Sequence, residues 1–366
     1  MKLIHTGDLH LGAKMESGLP PARARERRNE LLMSFSRLVE AAQSEGAQAV
    51  ILAGDLFDTA RVSDKTRRYV ADVVLSHPTL LFLCVEGNHD AGTAPAFAGG
   101  VAPANWRVFS SQGWETVWLD EQTAISGVSA TDFAGIYDNV PRPVTADGTT
   151  AFHIVCLHGQ VVRTGHAAAD TVVLKELQGK DIDYLALGHE HSFRCEPLDR
   201  RGVWAYAGCP EGRGFDECGD KGYVVLDTTA DEASRVRFVP FADRRLHRVE
   251  VALDGCESFR EIQSRVEAAV ADISSRDMLQ VVLTGALEPE VDRDTLHLTQ
   301  ALEGRFYMFR LTDNTKMLLH PEEYALDVSL KGEFIRTVMA SSMTQQQKDR
   351  VIACGLRVLR GEEVDA

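Results

Sequence analysis

Ala49-Val50-Ile51-Leu52-Ala53-Gly54-Asp55-Leu56-Phe57-Asp58 runs from a short apolar stretch into a glycine turn that carries two carboxylates. Short apolar runs bounded by glycine read as buried strands, which puts Asp55 at a strand end. The same pattern recurs four more times along the chain. Leu3-Ile4-His5-Thr6 leads into Gly7-Asp8-Leu9-His10, and the run from Leu80 to Val85 leads into Gly87-Asn88-His89-Asp90. Phe152 to Cys156 leads into Leu157-His158-Gly159, and Ile182 to Leu187 into Gly188-His189-Glu190-His191. Strand ends that each carry Asp, Asn or His are the layout of a site built along one edge of a sheet.

The length of 366 residues corresponds to about two domains, each able to bury its own core. Hydrophobic residues at 44% and charged residues at 25% are an ordinary globular composition. No apolar stretch approaches the roughly 20 residues of a membrane span. The sequence starts Met1-Lys2-Leu3-Ile4 without a signal-peptide pattern, so a cytoplasmic location with no membrane association is expected. The 7 cysteines are odd in number and scattered, which fits free, reduced thiols better than a disulfide framework. Lys and Arg total 39 against 54 Asp and Glu, a net charge of −15. That balance excludes a protein that holds nucleic acid through its overall charge alone.

Residues 1–242 read as one α/β domain in which strands alternate with helical stretches. Leu31, Phe35, Leu38, Val39 and Ala42 share one helical face within 29–42, and Ser63 caps a second helix through Val70 and Val74. Residues 91–104 read as a loop, and a glycine-rich loop from Gly208 to Gly222 joins two later strands. From 243 to 318 the alternation describes a small α+β domain: strands at 247–253, 278–284 and 306–311, helices at 259–273 and 294–302. Ser258 and Glu261 form a capping box for the first of these helices. Residues 319–366 read as a helical tail. One amphipathic helix carries Phe334, Ile335 and Val338; another starts at the capping pair Thr344 and Gln347 and runs through Ile352 and Leu356 to Gly361.

Oxygen ligands from Asp and nitrogen ligands from His together suit borderline divalent ions such as Mn2+ or Fe2+. Two such ions about 3.5–4 Å apart, sharing a carboxylate, can drive phosphate-ester hydrolysis. Asp55 is the natural bridge, because a Gly-Asp turn at a strand end leaves both of its lone-pair faces available. Asn88 is neutral, which keeps the combined site cationic enough to hold a phosphate.

In their order, Asp-x-His, Gly-Asp-x-x-Asp, Gly-Asn-His-Asp, a strand-end His and Gly-His-x-His resemble the calcineurin-like metallophosphoesterases. The resemblance implies a four-layer α/β/β/α sandwich, here followed by the α+β capping domain and the C-terminal helices. It implies that Asp8, His10, Asp55 and His191 hold one ion, and Asp55, Asn88, His158 and His189 the other. It also implies that His89 faces the substrate as proton donor, with Asp58 orienting it. Within the superfamily the flanking sequence is similar to the bacterial SbcD-type nucleases, and most of all to smaller relatives of the YhaO type. Asp8-Leu9-His10-Leu11-Gly12, the segment from Tyr206 to Glu217 that leads to Gly219-Asp220-Lys221-Gly222-Tyr223, and Ser329 to Arg336 carry this narrower likeness. It implies manganese-dependent cleavage of DNA, exonucleolytic on double strands and endonucleolytic on single strands. It further implies a homodimer working with an SMC-like coiled-coil ATPase of the SbcC or YhaN type. Such a partner would supply the DNA grip that the acidic charge denies this chain.

Several residues carry a plainer reading beside the functional one. His5 and His153 lie inside strands and read as packed histidines. His166 reads as a surface histidine in a polar loop, and Glu190 as part of a hydrogen-bonded support for its neighbours. The run Arg23, Arg25, Arg27, Arg28 either meets DNA phosphates, with Arg27 and Arg28 as the contacts, or is a solvated helix start paired with Glu26 and Glu30. Arg213 in its glycine-flanked loop has the same two readings. The tail either packs on the core or docks on the ATPase. Two rival functions stand beside nuclease: another metallophosphoesterase, acting on phosphoproteins or small nucleotides, and a catalytically silent scaffold of the ATPase complex.

Overall fold

Alternation along single strands decides the layers. In Ala49–Ala53, Val50 and Leu52 point to one side, and Ala49, Ile51 and Ala53 to the other, as a side-chain period of two demands. The computed structural model describes residues 1–15, 18–129, 135–165, 169–288, 291–318 and 324–359; His166 and Gly361 lie outside them. The chain divides into two units, Met1–Arg245 and Leu246–Ala366.

The first unit holds two six-stranded sheets. One has the order Val236–Pro240, Gly222–Asp227, Lys2–Thr6, Ala49–Ala53, Leu81–Val85, Trp106–Val108. The other has the order Arg194–Pro197, Val203–Tyr206, Tyr184–Gly188, Phe152–His158, Thr123–Gly127, Glu115–Trp118. Face to face, Leu3, Ile51 and Leu83 of the first sheet meet Ile154, Tyr184 and Ala186 of the second. On the outside of the first sheet, Phe35, Leu38, Val70 and Val74 from the helices Pro21–Ser44 and Asp64–Leu75 cover Ile4, Val50 and Phe82. The second sheet's outer face, with Val155, Leu157 and Leu187, is covered by the short helix Leu174–Leu177 together with Tyr137 and Val140. Helices, sheet, sheet and a thin helical cover make the four layers.

Register puts the candidate residues on one edge. Lys2–Thr6, Ala49–Ala53 and Leu81–Val85 are parallel neighbours, as are Phe152–His158, Tyr184–Gly188 and Val203–Tyr206. Parallel strands end together, so Gly7-Asp8, Gly54-Asp55, Gly87-Asn88, His158 and Gly188-His189 emerge side by side. The edge strands Trp106–Val108, Glu115–Trp118, Arg194–Pro197 and Val236–Pro240 have no counterpart in the sequence reading. They are short, and their exposed residues break the apolar pattern. The first helix starts eight residues earlier than its apolar periodicity, at Pro21, where a missing N–H is no loss. Ser63 caps the second helix by accepting from Thr66 N at 3.2 Å.

The second unit contains a parallel three-stranded sheet, Leu246–Ala252, Met278–Thr284, Met308–Asp313, with the helices Phe259–Ala269 and Thr295–Glu303 in the crossovers. Leu279, Val281, Ile262, Val266, Leu298 and Leu302 form its core. The helices Leu330–Met339 and Gln345–Leu359 pack on each other through Ile335, Val338, Ile352 and Leu356. The expected capping box is formed: Thr344 N donates to Gln347 Oε1 at 2.9 Å, and Gln347 N to Thr344 Oγ1 at 3.4 Å. Among the described residues no helix is long and apolar enough to cross a membrane. All 7 cysteines are free.

His5 and His153 are packed histidines. His5 lies between the sheets, 2.8 Å from Tyr184 Oη and 3.2 Å from Leu187 O, and burial lowers its pKa to about 3. His153 Nε2 lies 2.9 Å from Ser126 Oγ, and burial lowers its pKa to about 4. An unfolded chain binds this proton near pH 6.5, so between pH 6.5 and 4 the unfolded state holds more protons than the folded one. Stability is therefore complete above pH 6.5 and falls by about 3 kcal/mol on acidification to pH 4. In His153→Phe the acid-side loss, measured as ΔG from urea unfolding at pH 7 and at pH 4.5, should shrink by about 2–3 kcal/mol. An unchanged loss would show that His153 is not held neutral.

Candidate metal centre

Strained backbone marks the site before any side chain is considered. Asp8, His10, Asp55 and His189 have φ of 53°, 45°, 50° and 110°, in the left-handed half of the map that side-chain-bearing residues rarely enter. Each such residue costs about 1–3 kcal/mol and persists only where its surroundings hold it. Here the turns hold one another: Asp8 N donates to Gly54 O at 3.0 Å, and His10 N to Asp55 O at 2.9 Å. His189 N donates to both oxygens of Asp8, at 2.9 and 3.0 Å, and His89 N donates to Asp55 Oδ1 at 3.0 Å. Two glycines make this contact possible. A Cβ on Gly87 would lie 2.1 Å from Asp55 Oδ1, and one on Gly188 would lie 1.8 Å from Ala53 O. The glycine that precedes a candidate ligand thus lets neighbouring strand ends touch.

The side chains then converge. Ligand atoms of Asp8, His10 and His191 lie within 4.8 Å of one another, and so do those of Asp8, Asp55 and His158. His158 Nδ1 donates to Ala53 O at 2.9 Å, which leaves its Nε2 as a lone pair. That lone pair faces Asn88 Oδ1 at 3.1 Å and Asp55 Oδ2 at 3.4 Å. His10 is buried; its Nδ1 faces Asp58 Oδ1 at 3.4 Å, and among the described residues its Nε2 has no hydrogen-bond partner. Its Nε2 lies 3.7 Å from Asp55 Oδ2. The His158 and His189 rings meet at 5.4 Å between centroids. Ring-nitrogen lone pairs gathered against buried carboxylates are an arrangement that cations satisfy. Without cations, burial and then the Asp55 charge push the Asp8 carboxyl well above its usual range. Burial likewise lowers the pKa of His10 and of His158. Asp8, His10, Asp55, Asn88, His158, His189 and His191 therefore share one edge, and the donor set fits two divalent cations.

Around these residues the structure corrects parts of the sequence reading. Asp58 approaches His89 through its main-chain carbonyl, to which His89 Nδ1 donates at 3.1 Å. Its carboxylate points elsewhere, to His10 Nδ1 and to Arg213 Nη1, both at 3.4 Å. The hydrogen bond with His10 lowers the Asp58 pKa. Arg27 is fully buried and so offers nothing to DNA at the site mouth. It follows Ala24 and precedes Leu31 on the inner face of its helix, pairs with Glu30 at 2.5 Å and donates to Gly212 O at 2.9 Å. Arg28 donates to Lys14 O at 2.9 Å. Arg213 turns inward to Glu217 and Asp58.

The sequence reading assigned no role to Glu217, Asp90 or Lys221. Glu217 Oε1 accepts from His191 Nδ1 at 2.7 Å, the support that the sequence reading gave to Glu190. Burial alone would raise the Glu217 pKa, but hydrogen bonds from His191 and Arg213 outweigh it and hold it at about 2. Asp90, buried, accepts from Phe57 N at 3.1 Å and Gly87 N at 2.9 Å, which binds the second turn to the third; burial raises its pKa to about 6. Lys221 Nζ donates to His191 O at 2.6 Å. The signal for Glu217 and Lys221 was present as carboxylate and amine in a glycine-rich loop, but sequence spacing does not show which histidine the loop folds over.

Comparison with known proteins places this geometry. DNA double-strand break repair protein Mre11 of Haloferax volcanii is 29% identical over 307 residues, covering 78% of this chain and 64% of that protein. The uncharacterized metallophosphoesterase YhaO of Bacillus subtilis is 27% identical over 246 residues, 64% of this chain and 59% of that protein. The SbcD component of the nuclease SbcCD of Escherichia coli is 26% identical over 270 residues, 62% of this chain and 65% of that protein. The chain thus spans less than two thirds of the length of each of these relatives. The model of the calcineurin-like phosphoesterase family matches residues 1–193, more than half of the 366, and includes all five strand-end motifs. This chain belongs to the calcineurin-like phosphoesterase family.

Proposed function

We propose that this protein is a metal-dependent phosphodiesterase that cleaves DNA. The observation that carries the reading is the His158 lone pair facing Asp55 and Asn88 oxygens beside a buried His10 whose Nε2 has no hydrogen-bond partner among the described residues. One cation would be held by Asp8, His10, Asp55 and His191, the other by Asp55, Asn88, His158 and His189. Mn2+ suits this mixture of oxygen and nitrogen donors, and Fe2+ suits it as well. When bound, the cations lower the pKa of the attacking water and neutralise the phosphate.

The chain's own residues do the rest. Asp8 receives His189 N–H and Asp55 receives His89 N–H, so each carboxylate is aimed before any substrate arrives. His89 is exposed, and its Nδ1 proton is engaged by Asp58 O, which leaves Nε2 to protonate the departing oxygen. Of the two arginines expected to meet phosphate in that run, Arg28, which is not buried, would be the one to do so. DNA as substrate is supported by two of the relatives, a DNA double-strand break repair protein and a nuclease component. We further propose exonucleolytic action on double strands, endonucleolytic action on single strands, and a homodimer in the cytoplasm. An SMC-like ATPase partner, held by residues 319–366, would add the positive surface that a net charge of −15 lacks. Residues 243–318 would act as the capping domain.

With purified protein and Mn2+, duplex DNA should be cleaved faster than a cyclic nucleotide or a phosphopeptide. EDTA should abolish cleavage and added Mn2+ restore it. Cleavage that ignores the chelator, or a preference for the phosphopeptide, would overturn the proposal.

A further inference from the structure

Arg213 is more heavily engaged than a residue waiting for substrate should be. Its Nη2 and Nε donate to Glu217 Oε1 at 2.7 and 3.1 Å, and its backbone N–H donates to Glu217 Oε2 at 2.7 Å. Its Nη1 reaches Asp58 Oδ1 at 3.4 Å. Each of these carboxylates in turn meets one histidine of the cluster Asp8, His10, His191. Glu217 Oε1 lies 2.7 Å from His191 Nδ1, and Asp58 Oδ1 lies 3.4 Å from His10 Nδ1. A single guanidinium therefore ties together the supports of both histidines.

The chemistry of these contacts is one-directional. An ionised carboxylate cannot donate, so the short Glu217 contact fixes the proton on His191 Nδ1 and leaves Nε2 as the lone pair. Glu217 is only 6% exposed, and a carboxylate that buried depends on its paired arginine. Lys221, 2% exposed, fastens the same histidine from the backbone side through His191 O. Beside the cluster, a cavity of about 240 Å³ is lined by Lys14, Met15, Asp58, Arg213, Asp216 and Glu217. Its carboxylates outnumber its cations, so it repels a phosphate.

We infer that Arg213, Glu217 and Asp58 form a positioning clamp for one cation, the one held by Asp8, His10 and His191, and that Arg213 does not grip the DNA backbone. The inference rests on the two-cation reading above. The second cation's residues lie outside the clamp: His158 is fixed by Ala53 O instead. Loosening the clamp should therefore weaken one site and spare the other, which a general structural role would not do.

The test is titration of the full-length protein with Mn2+ alone, following the electron paramagnetic resonance signal of the free ion. The wild type should bind two ions. Glu217→Ala should weaken one site by about 10- to 100-fold and leave the other unchanged. Glu217→Gln, which keeps an acceptor for His191 Nδ1 but loses the ion pair, should fall at the lower end of that range. Arg213→Gln should weaken the same site, with KM for DNA unchanged at saturating Mn2+. Asp216→Ala, an exposed carboxylate of the same cavity, should bind both ions as the wild type does. Circular dichroism and a thermal melt establish that each variant is folded; if Glu217→Ala is not, Glu217→Gln and Arg213→Gln decide. Folded variants that keep both sites at wild-type affinity would overturn the inference, as would equal weakening of both sites. A raised KM for DNA in Arg213→Gln without loss of metal would overturn it in favour of a phosphate contact. A wild type that binds no Mn2+ would instead remove the two-cation reading itself, and the clamp with it.

Discussion

Replacing Asp55 with asparagine or alanine is expected to lower DNA cleavage at saturating Mn2+ by at least about a thousand-fold. Asp55 is buried, its Oδ2 lies 3.4 Å from His158 and 3.7 Å from His10, and so it stands between the two halves of the centre. A bridging carboxylate supports several kcal/mol of charge stabilisation in the transition state, and about 1.4 kcal/mol is tenfold in rate. The metal-free fold should respond in the opposite sense. Asp55 shares its buried cluster with Asp8, and like charges there oppose folding. Asp55→Asn keeps an oxygen acceptor for His89 N while removing the charge, so urea unfolding in EDTA should show stability equal to or above wild type. Asp55→Ala also loses that acceptor and should give back about 1 kcal/mol. Activity within tenfold of wild type in either variant would contradict the bridging role.

His89→Ala is expected to lower kcat on DNA by about 10²- to 10⁴-fold, the range of a lost general acid. Metal content should not change, because His89 belongs to neither ligand cluster. Stability should stay within about 0.5 kcal/mol of wild type, since the side chain is exposed and gives up one hydrogen bond to Asp58 O. The leaving group supplies the decisive comparison. An aryl phosphodiester such as bis(p-nitrophenyl) phosphate releases a stable phenolate that needs little protonation, so the variant should lose far less on it than on DNA. Equal losses on both substrates would remove His89 from the leaving side. Asp58→Asn should leave this difference intact, because His89 is oriented by the Asp58 carbonyl and not by its carboxylate.

These expectations draw on features of unequal legibility. The strand-end residues are readable in the sequence because strand, glycine and ligand lie within a few positions of one another. Ala49 to Asp55 states the strand, the turn and the carboxylate in seven consecutive letters. Parallel register then brings the strand ends together without further information. The supporting residues are not local. Glu217 reaches His191 across 26 positions, and Arg27 reaches Gly212 O across 185. Arg27 misleads for a physical reason: a charged residue on the apolar face of a helix reads as surface unless its buried partners are known, and those partners, Glu211 and Gly212, come from the distant glycine-rich loop. Asp58 misleads differently. Its position three residues after Asp55 is correct, but main chain and side chain face different histidines, and spacing carries no information on which does so. The edge strands were missed because they are short and their exposed residues interrupt the apolar pattern.

Anomalous diffraction from crystals grown with Mn2+, recorded near the manganese edge, tests the convergence of these side chains most directly. Two peaks about 3.5–4 Å apart on either side of the Asp55 carboxylate are expected, one beside His10 and His191 and the other beside His158 and His189. A single peak, or peaks away from Asp55, would contradict the shared two-cation centre on which the assignment depends.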